Sequence, residues 1–404
     1  MNFVEEALAH GLKQHQAGRT SEARSVYELL LSQSHDPRIQ GAALGQLARL
    51  NIADHRLHEA RVAAKRALHL DRDNGTALLA AAQVERRAGR PQQAIEILST
   101  RSTHELPPTL IHELGQCWQA MGQYRKAFLC FKEAKRRISF TNLDVDRSLL
   151  TRYLERLANR YGGESEPDWS PTPDSTRPDP VFIIGFNESG VPELGRMLST
   201  HPDVGLAKEV PALDAARRVF GPLDPVGLHQ ADEPQILAAR RAYFEVMDAR
   251  VHPGKIIVDA LPMNALALAL IRRMFPEALV LRCIRHPCEA TLSTFIKPYA
   301  FNSVTCHFDR LERTATTLLA TVSVSLQIER ALSMEVHHMP FEAFTAQPQE
   351  TVNAIVTGLG LQPVKTASLT PASPVDLWPS YRAEMSRWLE PLCALAEELG
   401  YPAK

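Results

Sequence analysis

Two stretches of the chain combine residue types that could bind an anion. An apolar run ends at Gly185, and the polar loop after it, which contains Ser189 and Gly190, leads into a segment with helical spacing of leucines. A strand, a loop and a helix in this order direct backbone N–H groups and a helix N-terminus at negative charge. Farther along, Arg285 follows another apolar run and Ser293 lies eight residues later. A guanidinium offers a forked contact to an anion, and a hydroxyl adds a further donor.

The elements that must position these residues form an alternating pattern. Apolar, β-branched runs at 181–185, 255–259 and 279–284 each precede a segment with helical spacing. Strands alternating with helices predict an α/β domain with a mostly parallel sheet. Ligands of such sheets gather at the carboxyl ends of the strands, where both anion-binding stretches would lie.

The first 160 residues have a different pattern, an internal repeat. Small residues recur at Ala23, Ala60, Ala94 and Ala127, with steps of 37, 34 and 33 residues, close to the roughly 34 residues of a tetratricopeptide repeat. Turn positions recur in register with them at Gly18, His55, Gly89 and Gly122. The spacing predicts stacked helix pairs, and a generic helical bundle is the alternative. A helix over about 142–160 is expected to close the stack.

Between the two parts, residues 161–180 are rich in Pro, Ser, Asp and Gly. This composition predicts a linker between a repeat domain at 1–160 and an α/β domain at 181–404. Trp169 within it either docks on a neighbouring surface or lies in solvent.

The second part resembles the sulfotransferases that use phosphoadenosine phosphosulfate (PAPS), and most closely the bacterial type preceded by tetratricopeptide repeats. The resemblance rests on FIIGFNESGVPELGRMLSTHPDV, from Phe182 to Val204, on DALPMN, from Asp259 to Asn264, and on the Arg-His-Pro that begins at Arg285. It implies a P-loop-like fold, transfer of a sulfuryl group to a hydroxyl such as one on a peptide or protein, and binding of PAPS or its product PAP. The repeats imply a groove that binds a peptide or protein.

The resemblance assigns roles to individual residues. It implies that Arg285 and Ser293 bind the 3′-phosphate of the donor, although Arg285 could instead pair with Glu289. It implies that Ser189 and Gly190 belong to the loop that binds the 5′-phosphosulfate. By similarity to the protein-tyrosine branch, Glu209 is the candidate general base, with a surface or capping role as the alternative.

The 5′-phosphosulfate loop departs from the family pattern. The family has a basic residue where this chain has Glu188, and two threonines where it has Val191 and Pro192. An acid beside an anionic donor repels it, and valine and proline remove hydroxyl donors. Proline also removes a backbone N–H, although its ring suits the first turn of a helix. A lysine of the family is replaced by Ala260.

Two functions therefore remain open, an active sulfotransferase and a catalytically silent relative that acts as a scaffold through its repeats. A third is that the loop accepts a less anionic donor. The net charge of -1 predicts no binding to nucleic acid or to membranes. Without a visible secretory signal or an apolar run long enough to span a bilayer, a cytoplasmic location is expected. Six cysteines without a CxxC, and a His337-His338 pair without a ligand partner at metal spacing, predict no metal site. His286 and His307 lie near the predicted mouth of the site, and single histidines of this kind are expected to form hydrogen bonds rather than to be catalytic.

Overall fold

The protein is described by a computed structural model that covers residues 3–16, 18–100, 102–142, 144–163, 169, 177–221, 225–252, 254–365 and 376–402. Most of the predicted linker, at 164–168 and 170–176, lies outside these residues. The chain divides into two compact units, Met1–Leu143 and Asp144–Lys404. Among the described helices, none combines the length and the apolar character that crossing a lipid bilayer requires.

The described part of the first unit consists of helices, and each contacts the next. They are α1 (Phe3–Gln16), α2 (Thr20–Gln33), α3 (Pro37–Ala53), α4 (Leu57–Leu70), α5 (Gly75–Arg87), α6 (Pro91–Leu98), α7 (Pro108–Ala120) and α8 (Tyr124–Thr141). Helices α3, α5 and α7 also contact one another in that order, which is the stacking that the repeat pattern predicts. The assignment to the tetratricopeptide family itself stays a prediction.

The turns inside the four helix pairs have the backbone conformation that the sequence indicates. Gly18, His55, Gly89 and Gly122 have φ values of 76°, 61°, 75° and 71°. A residue in the left-handed region ends a helix and redirects the chain, which favours glycine. His55 adopts the same conformation without being glycine. The four alanines 23, 60, 94 and 127 are fully buried at the start of the second helices.

The second unit contains a five-stranded parallel sheet with helices around it. Its elements are α9 (Leu149–Tyr161), β1 (Val181–Gly185), α10 (Val191–Leu198), β2 (Val204–Lys208), α11 (Ala212–Arg217), α12 (Pro225–Gln230), α13 (Glu233–Asp248), β3 (Ile256–Ala260), α14 (Leu268–Met274), β4 (Val280–Ile284), α15 (Pro287–Ile296), α16 (Leu311–Ala331), β5 (His337–Pro340), α17 (Phe341–Ala346), α18 (Pro348–Gly358), α19 (Arg382–Met385) and α20 (Leu389–Glu398). The strand order is β2-β3-β1-β4-β5.

The sheet confirms the predicted strands β1, β3 and β4 to within a residue or two, and it adds two strands. The added strands are the edge strands β2 and β5. Neither has the continuous apolar run of a buried central strand, because β2 contains glycine and lysine and β5 contains two exposed histidines. All the described strand pairings are parallel, so the carboxyl ends of β1, β3 and β4 lie along one edge of the sheet.

Helix α9 packs in the second unit, whereas the sequence analysis expected it to close the helical stack. Its Leu150, Leu154, Leu157 and Tyr161 belong to the same buried cluster as residues of α13 and α14. The contact boundary accordingly lies between 143 and 144 rather than at 160. The amphipathic pattern predicted the helix correctly, but an apolar face does not specify which neighbour covers it.

Trp169, from the predicted linker, packs on the second unit. Its ring lies 5.1 Å from that of His229, and the Arg273 guanidinium lies 5.7 Å from its centre. Of the two alternatives for this residue, docking on a neighbouring surface is the one observed.

The crossing of α7 and α8 supplies a test of the packing in the first unit. A Cβ at Gly115 would lie 2.6 Å from Cε1 of the buried Phe131 ring, whereas a Cβ at Gly75 would meet no atom within 4 Å. We expect Gly115→Ala to lower the free energy of unfolding by about 1–3 kcal/mol, because overpacking outweighs the gain in helix propensity. The matched control Gly75→Ala should be neutral or stabilising. Urea unfolding followed by circular dichroism measures both, and equal effects would contradict the close crossing.

Candidate anion-binding site

The loop between β1 and α10 is held in one conformation by buried contacts. Gly190 has a φ of 102°, and a Cβ there would lie 2.4 Å from Phe341 and 2.6 Å from Phe344, so only glycine fits. Ser189 is buried, and its hydroxyl donates to the carbonyl of Phe186 at 2.6 Å. The Ser189 hydroxyl is therefore engaged inside the loop in this conformation.

Glu188, which replaces the basic residue of the family pattern, has two partners from the chain after α15. Its Oε1 accepts from Lys297 Nζ at 2.6 Å and from the Tyr299 hydroxyl at 2.8 Å. Burial raises the pKa of Tyr299, and the Glu188 carboxylate raises it further, so this hydroxyl stays a donor. With a φ of 61°, Glu188 also has a backbone conformation that is uncommon for a residue other than glycine. The loop therefore contributes the acid of an ion pair where the family pattern has a cation.

Arg285 follows β4 and faces the same loop. Its Nη1 donates to the carbonyl oxygen of Glu188 at 3.1 Å, and its guanidinium lies 4.6 Å from the centre of the Phe341 ring. A further contact, between Nη2 and the Glu289 carboxylate, measures 3.5 Å. The residue is only 3% exposed. Arg285 thus connects the end of β4 to the loop after β1, at the carboxyl edge where the sequence predicted it.

Glu289 connects Arg285 to Ser293. It is fully buried in α15, and its Oε1 accepts from the Ser293 hydroxyl at 2.9 Å. Its Oε2 accepts from the backbone N–H groups of Leu377 and Trp378 at 2.6 and 2.7 Å. Burial raises the pKa of Glu289, while Arg285 and these hydrogen bonds favour the carboxylate.

The structure therefore brings Arg285 and Ser293 together around one carboxylate of the protein. The ion pair with Glu289, which was the alternative to a phosphate contact, is present. The Glu289 carboxylate accepts hydrogen bonds from a hydroxyl and two backbone N–H groups and pairs with a guanidinium. These are the same kinds of group that would bind a phosphate.

The space behind the loop is small. A cavity of 30 Å³ is lined by residues of β1, β4, α15 and α16 and of the loops after the two strands, among them Gly185, Ser189, Arg282 and Arg285. A water molecule in the liquid has a share of about 30 Å³. A nucleotide therefore does not fit into this cavity in the conformation observed.

Glu209, the candidate general base, lies apart from these contacts. It follows the edge strand β2 in an exposed turn with a φ of 54°, and its backbone N–H approaches the Ala260 carbonyl at 3.4 Å. Its side chain forms no hydrogen bond or ion pair with the described residues. Since β3 lies between β2 and β1, the fold places Glu209 at the carboxyl edge of the sheet but not in contact with the loop.

Asp259, at the end of β3, has a structural setting. It is fully buried, and it accepts from the Tyr243 hydroxyl at 3.2 Å and from the Asn264 amide at 3.1 Å. Burial raises its pKa to about 7, against the effect of these two hydrogen bonds. The next residue, Ala260, is buried against α10. A Cβ added at Gly195 of α10 would lie 3.1 Å from the Cβ of Ala260.

The two histidines near the predicted mouth of the site differ in setting. The His286 ring stacks on Trp378 with centres 5.2 Å apart, and its Nδ1 accepts from the Cys288 N–H at the start of α15. His307 lies in a separate cleft beside α16. Over the described residues, no three metal-ligating side chains group together.

Sequence reasoning missed Lys297 and Tyr299 as parts of the site. They follow α15 without a recognisable motif, and only the fold places them against Glu188. Glu289 was named as a possible partner of Arg285, because residues four apart share a helix face. Its bonds to Leu377 and Trp378 join segments about 90 residues apart, which no local pattern indicates.

Comparison with known families identifies the second unit. Residues 180–365, a little under half of the chain, match the family model described as "Sulfotransferase family". The matched segment includes the loop after β1, Arg285, Ser293 and Glu209.

Three curated relatives are similar over parts of the chain. An uncharacterised protein of Aquifex aeolicus is 22% identical over 249 residues, which cover 54% of this chain and 32% of that protein. Nodulation protein NoeE of Sinorhizobium fredii is 25% identical over 213 residues, or 45% of this chain and 50% of that protein. Protein-tyrosine sulfotransferase 2 of Gallus gallus is 22% identical over 193 residues, or 45% and 51%. The matches thus span a third to a half of these relatives.

Two solved structures are also similar. A sulfotransferase of Alicyclobacillus acidocaldarius shares 22% identity and a TM-score of 0.37, covering 56% of this chain and 96% of that one. Sulfotransferase STF9 of Mycobacterium avium shares 12% identity and a TM-score of 0.32, covering 78% and 81%.

The buried Asp259 predicts a pH dependence of stability. Because its pKa rises from 3.8 to about 7 on folding, the protonated acid stabilises the fold, and this stability is lost as the pH rises from about 4 to 7. The free energy of unfolding of the unmodified protein should fall between about pH 5 and pH 8. In Asp259→Asn, whose side chain cannot ionise, we expect this fall to be smaller by roughly 1–3 kcal/mol.

Denaturant unfolding at the two pH values measures this difference. Asp248→Asn is the control, because Arg177 lowers the pKa of Asp248 and its contribution has the opposite sign. An Asp259→Asn protein with an unchanged pH profile would show that Asp259 does not titrate in this range.

Proposed function

We propose that this sulfotransferase-family domain no longer binds the PAPS donor tightly, because carboxylates of the protein occupy both of its anion-binding positions. The protein would act instead as a scaffold that binds a peptide or protein through its helical first unit. The observation that carries this proposal is a pair of acids. Glu289 is bound by Arg285 and Ser293, which the family resemblance assigns to the 3′-phosphate of the donor. Glu188 stands where the family pattern has a basic residue, and it binds Lys297.

At the 5′-phosphosulfate position, charge and hydrogen bonding both oppose the donor. A donor anion about 4 Å from the Glu188 carboxylate would be repelled by about 4 kcal/mol at an effective dielectric constant of 20. Lys297, 2.6 Å from Glu188, offsets part of this repulsion, so this position is close to neutral where the family pattern has a net positive charge. Val191 and Pro192 open α10 without hydroxyls, and Pro192 has no N–H to offer.

At the 3′-phosphate position, a competing anion is already bound. For a phosphate to contact Arg285 and Ser293, it would have to displace Glu289 or lie beside it. Displacement would leave Glu289 buried without these partners, and an uncompensated buried charge is costly. The N–H groups of Leu377 and Trp378 also bind Glu289, so its position is fixed from two sides.

The first unit supplies a surface for the scaffold role. In three successive repeats, a half-buried polar residue directly follows a buried small residue. These polar residues are Arg49 in α3, Gln83 in α5 and Gln116 in α7. A polar row along stacked helices can hydrogen-bond an extended peptide, as solenoid surfaces do. Peptides selected by display on the unmodified protein should therefore bind a Gln83→Ala, Gln116→Ala variant at least several-fold more weakly, and equal binding would contradict this surface.

The second candidate is sulfuryl transfer from PAPS to a hydroxyl acceptor. The family match favours it, since sulfotransferase family domains generally transfer sulfuryl groups. The positions of Arg285 after β4 and Ser293 in α15, which are joined through Glu289, also favour this candidate. In this candidate Glu209, exposed at the carboxyl edge, would remove the acceptor proton.

Isothermal titration with PAP separates the two candidates. We expect no saturable heat for the unmodified chain, because both anion positions are already filled. Saturable binding, together with transfer of labelled sulfate from PAPS to a hydroxyl-bearing peptide, would establish the second candidate and exclude the first.

A reversal of the loop tests its physical basis. Glu188→Arg combined with Val191→Thr and Pro192→Thr removes the acid and restores a cation, two hydroxyls and an N–H. We expect the affinity for PAP to rise at least about tenfold, which corresponds to about 1.4 kcal/mol. Glu350→Gln, an exposed acid of α18, is the matched control and should leave the affinity unchanged. A correctly folded triple variant with no gain would show that the loop residues do not limit donor binding.

A further inference from the structure

Two cysteines of the α/β unit, Cys288 in α15 and Cys393 in α20, lie against each other. The two helices pack together, and the thiol of Cys288 forms a hydrogen bond with the thiol of Cys393. Thiols that share a hydrogen bond place their sulfur atoms side by side. A disulfide requires such closeness, because its two Cβ atoms must lie within about 3.5–4.5 Å of each other. The pair therefore meets the first condition for bond formation, and both cysteines are free thiols in the structure.

The packing of the two helices holds this pair in place. Cys288 is fully buried in the first turn of α15, four residues before the fully buried Leu292. On α20, Cys393 is half-buried and lies three residues before Ala396, which is only 2% exposed. Since residues three or four apart share a helix face, each cysteine belongs to a face that its helix packs into the unit. The contact between the sulfurs is thus part of the helix packing and not a contact of two loose surface side chains.

The settings of the two sulfurs differ, and the difference gives them different roles. Burial raises the pKa of Cys288, and Cys393 raises it further through its charge and its hydrogen bond, so Cys288 keeps its proton near neutral pH. Cys393 is the more exposed residue of the pair. An oxidant therefore reaches Cys393 first, and Cys288 is the second thiol, which reacts with the oxidised sulfur.

A second pair of cysteines, in the helical unit, offers a comparison within the same chain. Cys117 in α7 is buried and Cys130 in α8 is half-buried, and these two helices also pack together. The charge of Cys130 raises the pKa of Cys117, but no hydrogen bond between their thiols accompanies this effect. The two pairs are therefore alike in burial, and they differ in the contact between their sulfurs.

We propose that Cys288 and Cys393 form a reversible disulfide when the protein meets a peroxide. The Cys393 thiolate attacks one oxygen of hydrogen peroxide, the O–O bond breaks, and a sulfenic acid forms while hydroxide leaves and takes up the thiol proton. The Cys288 sulfur then attacks the Cys393 sulfur, and the hydroxyl group leaves with the Cys288 proton as water. Two thiols and one hydrogen peroxide thus give one disulfide and two water molecules, and the peroxide takes up the two electrons that the sulfurs lose. Exchange with a dithiol reverses the oxidation.

The disulfide would join two parts of the arrangement at the carboxyl edge of the sheet. Glu289 directly follows Cys288 in α15, and the segment 376–402 contains both α20 and the N–H groups of Leu377 and Trp378 that bind Glu289. A covalent bond between them closes a loop of about a hundred residues, which restricts the unfolded chain more than the folded one. Oxidation therefore stabilises this arrangement. The site goes beyond the proposed function, since it requires neither PAPS nor a peptide partner.

Oxidation of the full chain by a small excess of hydrogen peroxide tests the pair. After the remaining thiols are alkylated in denaturant, peptide mass mapping should find a disulfide between Cys288 and Cys393, with Cys117 and Cys130 alkylated. Dithiothreitol should restore both thiols. Oxidation of Cys393 to a sulfinic acid, a disulfide between other cysteines, or six alkylated thiols at a peroxide dose that oxidises free cysteine would each overturn the proposal.

Two serine variants locate the reaction. After peroxide treatment, Cys393→Ser should leave Cys288 as an alkylated thiol. Cys130→Ser is the matched control, at the other half-buried cysteine that lies near a buried one, and it should retain the disulfide between Cys288 and Cys393. Loss of that disulfide in Cys130→Ser would contradict the assignment of the pair.

A measurement on the unmodified protein keeps the test independent of how the variants fold. Hydrogen exchange of the backbone N–H groups of Leu377 and Trp378 should slow at least about threefold after oxidation, because the bond hinders local opening of their segment. Dithiothreitol should reverse the slowing. An unchanged exchange rate after complete formation of the disulfide would overturn its stabilising role.

Discussion

The arrangement of the α/β unit around its carboxyl edge depends on one buried carboxylate. Glu289 has no exposure to solvent, and burial of an isolated charge of this kind is unfavourable by several kcal/mol. Four donors on three segments compensate it, from Arg285 before α15, Ser293 within it, and the backbone of Leu377 and Trp378. Because each donor must be in place, the carboxylate holds the end of β4, helix α15 and the C-terminal segment in one arrangement.

The same network reaches the loop after β1. Arg285 donates to the Glu188 carbonyl, Thr294 of α15 donates to the Asn187 carbonyl, and Glu188 binds Lys297 and Tyr299 just beyond α15. The loop is therefore fixed from the β4 and α15 side by both its backbone and its acidic side chain. A loop that binds a phosphosulfate would instead keep its donors available for the ligand. Here the donors of Arg285, Thr294, Lys297 and Tyr299 that reach the loop are bound to its carbonyls and to Glu188, which supports the proposed scaffold role.

The α/β unit also contains a second cleft, beside α16 and apart from the loop after β1. Helix α16 has one face toward the small cavity behind the loop and another toward the larger cleft with His307. The cleft exists because α9 packs against α16 within the α/β unit. The placement of this one helix thus decides both where the first unit ends and which surface of the second unit is concave.

The sequence by itself determined the periodic features of this protein. Alanines in steps near 34 residues specified helix pairs with left-handed turns, and alternating apolar runs specified a parallel sheet with Arg285 and Ser293 near its carboxyl edge. The acid at Glu188 was also readable, since its type contrasts with the family pattern. These features are local, or they repeat along the chain, so the sequence contains them directly.

Only the tertiary structure decided which partners those residues meet. The pairing of Glu188 with Lys297 and Tyr299, the bonds from Leu377 and Trp378 to Glu289, and the packing of α9 against α16 all join distant segments. An amphipathic face indicates that a helix is covered but not by what, and a charged side chain indicates a need for a partner but not which one. Those choices follow from burial, because the free energy of a charge inside the protein depends on every group that surrounds it.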